Sequence, residues 1–238
     1  MVSATRILVV EDDPTVRDVV RRYLERDGHT VLLAEDGTTG LAMARETDPD
    51  LIVLDVMLPG LSGLQVCSTL RVGDNSKTPI IMLTALGEED DRISGLALGA
   101  DDYVTKPFSV KELALRVQSV LRRSAGHTSA EPIVDIVTDG DLTINTVSRT
   151  AHRGGREVSL TIREFDLLQF LMTHPGEVFS RSDLLKRVWG WTFGDHSTVT
   201  VHVKRLRYKI EDVPAEPRRL ATVYGIGYRY DRTEGTTP

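Results

Sequence analysis

Four short motifs hold the side chains that could do chemistry: Glu11-Asp12-Asp13-Pro14, Leu54-Asp55-Val56-Met57-Leu58-Pro59-Gly60, Leu83-Thr84-Ala85 and Thr105-Lys106-Pro107-Phe108. Three carboxylates held close together repel one another unless a hard cation neutralises them. Mg²⁺ suits one or two carboxylates, a backbone carbonyl, waters and a phosphoryl oxygen. A carboxylate can also attack phosphorus and form an acyl phosphate. In-line phosphoryl transfer asks for positioning and positive charge more than for covalent machinery. Lys106 can supply that charge as a compact cation. The set therefore predicts a pocket for a divalent cation and a phosphoryl group.

These residues meet only if the chain brings them to one place. The first three motifs follow short apolar or β-branched runs at residues 7–10, 51–54 and 79–83, and the fourth ends the run 102–105. Near-continuous apolar stretches of this kind read as buried parallel strands. Between them, helical periodicity covers residues 16–26, 38–46, 62–71, 90–98 and 110–123. Five strand–helix repeats imply right-handed crossovers and an α/β, doubly wound, five-stranded parallel sheet. In such a sheet the residues just past the strand ends converge on one crevice. Asp13, next to Pro14, is expected to be a charge at the following helix's N-terminus and not a ligand.

Composition sets the outer bounds. The 238 residues suit two domains of ordinary size, and 40% hydrophobic content is enough for a core in each. No apolar run approaches the roughly 18–20 residues that span a bilayer, and the N-terminus lacks a secretory pattern, so no membrane role is expected. A lone cysteine, Cys67, excludes an internal disulfide, falls in an apolar helical pattern, and fits a reducing, cytoplasmic compartment. Residues 1–123 carry 14 Lys/Arg against 20 Asp/Glu, whereas residues 124–238 are balanced at 15 each. Only local clustering could then make a nucleic-acid surface.

The chain divides into three parts: residues 1–123, a small, polar, unpatterned linker at 124–132, and a second domain at 133–238. Past the linker, residues 133–160 alternate in short runs broken by Asp139-Gly140 and Gly154-Gly155, which predicts an antiparallel meander. Thr161-Ile162-Arg163-Glu164 reads as a capping box opening a helix that Pro175-Gly176 ends. Helices over 182–189 and 197–211 follow, then a hairpin with strands at 220–224 and 228–230. On a helical wheel of 197–211, Val199, Val203, Leu206 and Ile210 share a buried face. The other side presents Ser197, Val201, Lys204, Arg205 and Tyr208, flanked by Thr200, His202, Arg207 and Lys209. Residues 199–210 hold four Lys/Arg and no acid, a composition that suits phosphates and base edges in a major groove.

The order and spacing of the first four motifs resemble a response-regulator receiver domain, and the second half resembles the winged-helix effector domain of the OmpR/PhoB family. Together the likeness covers about residue 5 to 231. It implies that Asp55 is the phosphoacceptor and that Glu11, Asp12 and Asp55, with the Met57 carbonyl, bind Mg²⁺. Lys106 would hold a phosphoryl oxygen and Thr84 would hydrogen-bond the same group, with Tyr103 as a switch aromatic. A cis peptide at Lys106–Pro107 is implied as well. Arg92, Asp101, Asp102, Glu112 and Arg116 match positions that pair across a symmetric dimer, although a solvated helix face would read the same way. DNA-contact positions fall on Ser197, Thr198, Val201, His202, Lys204, Arg205, Arg207, Tyr224 and Arg229, with Arg218 and Arg219 as further wing cations. Relatives contact RNA polymerase through the loop at 190–196, where Trp191 is the expected contact and Trp189 a core residue. The family usually carries Arg, Asp and Arg where Ser197, Thr200 and Tyr224 stand here. Losing two cations should weaken phosphate contact.

The function implied is a transcriptional regulator that takes a phosphoryl group from a sensor histidine kinase, dimerises, and binds promoter DNA. Two other readings compete. A phosphoaspartyl phosphatase would need a second acid two residues after Asp55, where Met57 stands. A regulator that binds DNA independently of phosphorylation would not need the intact pocket.

Overall fold

Ile7, Leu8, Val9 and Val10 are all without solvent exposure, which only a strand covered on both faces allows. A computed structural model describes residues 5–72, 77–85, 99–124, 135–191 and 196–233. The chain divides into two compact units, Met1–Ala125 and Gly126–Pro238. The helix expected at 90–98, with Arg92, lies outside the described residues, as do residues 125–132 of the expected linker and 192–195 of the loop.

The first unit runs β1 (Arg6–Val10), α1 (Pro14–Arg26), β2 (Thr30–Ala34), α2 (Gly37–Thr47), β3 (Leu51–Asp55), α3 (Gly63–Val72), β4 (Ile80–Ala85), β5 (Asp102–Lys106) and α4 (Val110–Ser124). Its five strands are parallel in the order β2-β1-β3-β4-β5. The order reverses at β1, so the ends of β1 and β3 flank the crevice where α/β sheets bind ligands. Ile7, Val9, Val53, Ile81, Leu83 and Val104 pack on one side against Val20 and Leu24 of α1 and Leu113, Val117 and Val120 of α4. Cys67 is a buried free thiol in α3, as the apolar pattern predicts.

Two local features aim β1 and β3 at the crevice. Asp13 caps α1, accepting from the backbone N–H groups of Thr15 at 2.7 Å and Val16 at 3.1 Å. Those bonds hold its carboxyl below the ordinary range. After β3 the chain folds back so that the Gly63 N–H donates to the Val56 carbonyl at 2.9 Å. A Cβ at Gly63 would lie 2.0 Å from the Asp55 carbonyl oxygen, so only glycine lets α3 start this close to the strand end.

In the second unit, β6 (Ile136–Asp139), β7 (Leu142–Asn145), β8 (Thr150–Arg153) and β9 (Arg156–Glu157) form the expected antiparallel meander. Helix α5 (Ile162–Thr173) begins at the Thr161–Glu164 capping box. Strand β10 (Val178–Ser180) leads into α6 (Arg181–Leu184), whose helix continues as a π-helical turn over Leu185–Trp189. Helix α7 (Ser197–Ile210) and the hairpin β11 (Leu220–Val223) and β12 (Gly227–Tyr230) complete the unit. The periodicity did not predict β10, which pairs with β12 and turns the hairpin into a three-stranded sheet. Among the described residues no helix is long and apolar enough to cross a membrane.

The core of this unit corrects one expectation. Trp191 is only 4% exposed and lies with Trp189 in the same apolar cluster, their ring centroids 6.5 Å apart, so it is packed and not offered to a partner. Arg219 is not a wing cation either. It is buried, with Asp139 and Asp141 as ion-pair partners and the Ile210 carbonyl accepting from it at 2.8 Å.

Candidate functional site: an acidic pocket and a helix–wing surface

The carboxylates of Glu11, Asp12 and Asp55 each offer an oxygen within 4.8 Å of the others. Glu11 and Asp55 are buried, whereas Asp12 is exposed. Lys106 reaches across from the end of β5. Its Nζ donates to both Glu11 oxygens at 2.9 and 2.8 Å and to Asp55 Oδ2 at 2.7 Å. Burial raises the Glu11 carboxyl above its ordinary range; the Asp55 charge adds to this and Lys106 opposes it. For Lys106, burial works against the charged form, but the bonds and charges of Asp55 and Glu11 prevail and hold its pKa up. A cluster of three acids facing one ammonium is under-neutralised, and this oxygen donor set fits a hard divalent cation.

The surrounding residues fix this geometry. The Met57 N–H donates to Asp55 Oδ1 at 3.2 Å, while the Met57 side chain is 64% exposed. Thr84 is buried at the end of β4, beside Thr105 in register. The peptide Lys106–Pro107 is cis. Arg17, which the motifs did not single out, donates from Nη1 to the carbonyls of Glu11 at 2.6 Å and Asp12 at 3.1 Å. Its signal in the sequence is weak: it is one of four arginines on α1.

Tyr103 is buried in β5 at 7% exposure. Of the residues matched to a dimer interface, the described ones, Asp101, Asp102, Glu112 and Arg116, are engaged within their own chain. Arg116 donates from Nη1 to both Asp102 oxygens at 3.1 and 3.0 Å and from Nη2 to Glu112 at 2.7 Å. Asp101 accepts from Arg71 at 2.9 Å and from the Ile80 N–H at 2.9 Å. Asp101 and Asp102 are almost completely buried, and a buried carboxylate must find a cation or N–H within reach.

On α7 the wheel needs correcting. Thr198, Val201, His202 and Arg205 are buried in this structure, and the exposed residues are Thr200, Lys204 and Tyr208, one turn apart, with Ser197 half-buried beside them. Arg205 is drawn inward by Glu164, a carboxylate without solvent exposure, at 2.7 Å, and Lys209 joins at 2.6 Å. Burial works against ionising Glu164, but these two cations hold its carboxyl below the ordinary range. His202 packs edge-on against Trp189, centroids 5.2 Å apart, and its Nδ1 donates to the Thr198 carbonyl at 2.8 Å. Arg207 is turned toward the wing, and Arg229 pairs with Asp231 at 2.6 Å. Tyr224 stands 92% exposed at the wing tip.

Burial, with Arg205 adding to it, pushes the His202 imidazole down to about 3. Above the unfolded value near 6.5 both states are neutral and no pH term arises. Below it the unfolded chain takes up a proton that the folded unit does not. Stability should therefore fall by about 1.4 kcal/mol per pH unit as pH drops from about 6.5 toward about 3. Urea midpoints measured by tryptophan fluorescence near pH 7 and pH 5 check this, with the extra slope expected to disappear in His202→Leu.

A sheet of receiver topology with an acidic crevice, in one chain with a winged-helix unit, defines a class: a regulator that joins a receiver to a DNA-binding unit. Comparison with known proteins gives the family. The response regulator receiver domain matches residues 7–118, and the C-terminal domain of transcriptional regulatory proteins matches residues 155–230. The sensory transduction protein RegX3 of Mycolicibacterium smegmatis is 42% identical over 228 residues, covering 95% of this chain and 99% of that protein. The transcriptional regulatory protein ResD of Bacillus subtilis is 43% identical over 235 residues, covering 96% and 97%. Among solved structures, a mutant of RitR is 28% identical with a TM-score of 0.75, covering 97% of this chain and all of that one. The response regulator DrrB, described as a Thermotoga maritima OmpR/PhoB homolog, is 32% identical with a TM-score of 0.51, covering 96% and 99%. The chain belongs to the two-component response regulators that join a receiver domain to an OmpR/PhoB-type C-terminal domain. As a member it is a DNA-binding transcriptional regulator, and its receiver implies a sensor kinase as partner.

Proposed function

We propose that Asp55 accepts a phosphoryl group from a sensor histidine kinase and that the modified protein dimerises on promoter DNA in the cytoplasm. The observation that carries this reading is the convergence of Glu11, Asp12, Asp55 and Lys106 at one strand-end crevice. Glu11, Asp12, Asp55 and the Met57 carbonyl would hold Mg²⁺, which when bound supplies charge neutralisation for the incoming phosphoryl oxygens. An Asp55 carboxylate oxygen attacks phosphorus and forms the new O–P bond. The bond to the donor breaks, and its electron pair leaves with the donor. Lys106 holds a phosphoryl oxygen, and the Thr84 hydroxyl donates to the product. Tyr103, already buried beside β4, follows Thr84 as the switch.

Dimerisation would draw on Arg92, Asp101, Asp102, Glu112 and Arg116. Because Arg116 bonds Asp102 and Glu112 within one chain, association exchanges partners and adds little net ion-pair energy. DNA contact would come from Ser197, Thr200, Lys204 and Tyr208 on α7 and from Tyr224 and Arg229 on the wing, with residues 190–196, apart from the packed Trp191, left for RNA polymerase. Two effector units on adjacent half-sites bind with an effective concentration that neither has alone.

The test is duplex binding and sedimentation with and without a small phosphodonor and Mg²⁺, using a duplex selected from a randomised pool. Phosphodonor should produce a dimer and tighten binding by about tenfold or more. The Asp55→Asn protein should show neither change. Equal binding by unmodified and phosphorylated protein would favour the phosphorylation-independent regulator.

A further inference from the structure

Arg207 keeps a cationic type on the recognition helix, yet its guanidinium is aimed at its own chain. Its Nε donates to the Leu220 carbonyl at 2.9 Å, and its Nη2 donates to that carbonyl at 2.7 Å and to the Thr222 hydroxyl at 2.7 Å. Leu220 and Thr222 belong to β11, the first strand of the wing. Thr222 stands in register with Tyr228 of β12, whose ring lies 6.0 Å from the Arg207 guanidinium. Arg181 of α6 lies 5.1 Å from the centre of the same ring, and the Tyr228 hydroxyl donates to Thr200 of α7 at 3.3 Å. Arg181 Nε also donates to Thr200, at 3.3 Å. One connected set of bonds thus ties α6, α7 and both wing strands together. The carbonyl and hydroxyl that accept from Arg207 are neutral, so the side chain is committed to geometry and not to charge pairing.

Beyond these braced strands the hairpin turns at Val223-Tyr224-Gly225-Ile226, closed by the Ile226 N–H on the Val223 carbonyl at 3.0 Å. Gly225 takes φ +76°, a conformation that glycine adopts without strain. The tip that results presents Tyr224 at 92% and Ile226 at 55% exposure. β10 holds β12, but β11 is the outer strand of this three-stranded sheet and pairs on one side only, so the position of Tyr224 depends on what anchors β11 behind it.

We propose that Arg207 is a positioning residue that locks the wing to the recognition helix, so that Tyr224 and the exposed stripe of α7 meet DNA as one rigid surface. This assigns Arg207 to the interior of the reading head and not to a phosphate. It rests on the DNA-binding reading, but the brace itself can be measured without DNA.

The experiment compares wild type, Arg207→Ala, Thr222→Val, Tyr224→Ala and the Arg207→Ala/Tyr224→Ala pair in the full chain. Hydrogen exchange of the wing amides is followed without DNA, and binding to a duplex selected by the wild-type protein is followed across salt concentrations. A brace predicts faster exchange over residues 220–230 in Arg207→Ala and, less strongly, in Thr222→Val. It also predicts about tenfold weaker binding in Arg207→Ala, with an unchanged salt slope and little further loss on adding Tyr224→Ala. A phosphate contact predicts a salt slope smaller by about one, unaltered wing exchange and additive losses, and that outcome overturns the proposal. Unaltered wing exchange overturns it whatever the binding. If the wild type selects no duplex, the DNA-binding reading fails while the exchange result still decides the brace. Arg207→Lys serves where the alanine variant does not fold: lysine is one atom shorter and lacks the Nε donor that also bonds the Leu220 carbonyl, so partial loosening of the same amides is expected.

Discussion

Replacing Lys106 by methionine is expected to slow phosphoryl uptake by about 10²–10³-fold while tightening Mg²⁺ binding. The opposite signs follow from the two things Lys106 does. Its ammonium sits on Glu11 and Asp55 at 2.7–2.9 Å, where it neutralises the carboxylates a metal would use. Removing it leaves the acids unopposed and so favours a divalent cation. During transfer the same ammonium is the fixed positive charge aimed at the phosphoryl oxygens, and methionine keeps the bulk without that charge. Calorimetric titration with Mg²⁺ and the rate of uptake from a small phosphodonor measure the two effects separately. If metal affinity falls along with the rate, the lysine is holding the pocket together and not competing with the metal.

Replacing Glu164 by alanine is expected to destabilise the effector unit by about 3–5 kcal/mol, since it strands Arg205 and Lys209 without their buried counter-charge. The same change removes half of the capping box, because Glu164 Oε2 accepts from the Thr161 N–H at 2.9 Å. Both tryptophans, Trp189 and Trp191, lie in this unit, so fluorescence during urea unfolding reports on it alone. A loss below about 1 kcal/mol would mean that the ion pairs contribute no more than a surface bridge does. Glu164→Gln should lie between the two, since it keeps the cap but not the charge.

The acidic pocket was legible in the sequence because its chemistry sits at strand ends. Once four apolar runs were read as parallel strands, topology alone carried Glu11, Asp12, Asp55, Thr84 and Lys106 to one edge. The capping box at Thr161 was legible for a similar reason, as both partners lie within one turn. The helix–wing surface was less so. A helical wheel sorts residues by angle, but Arg205 and His202 lie at the border between faces, and what decides for them is distant in the chain. Glu164 pulls Arg205 inward, and Trp189 covers His202. Arg207 is turned aside by a carbonyl thirteen residues on. Glu112 and Arg116 posed the same difficulty: opposite charges one turn apart on α4, with Asp102 of β5 within reach, pair within a chain as readily as between chains. Trp191 was misread because a tryptophan just past a helix end can face either way, and only the shape of the core settles it.

Whether Asp55 takes up a phosphoryl group in a metal-dependent step is decided by intact mass after incubation with Mg²⁺ and a small-molecule phosphodonor, for wild type and Asp55→Asn side by side. One added phosphoryl group on wild type, absent without Mg²⁺ and absent from Asp55→Asn, is the predicted result. Equal incorporation into both proteins, or none into a wild type shown by titration to bind Mg²⁺, would contradict it.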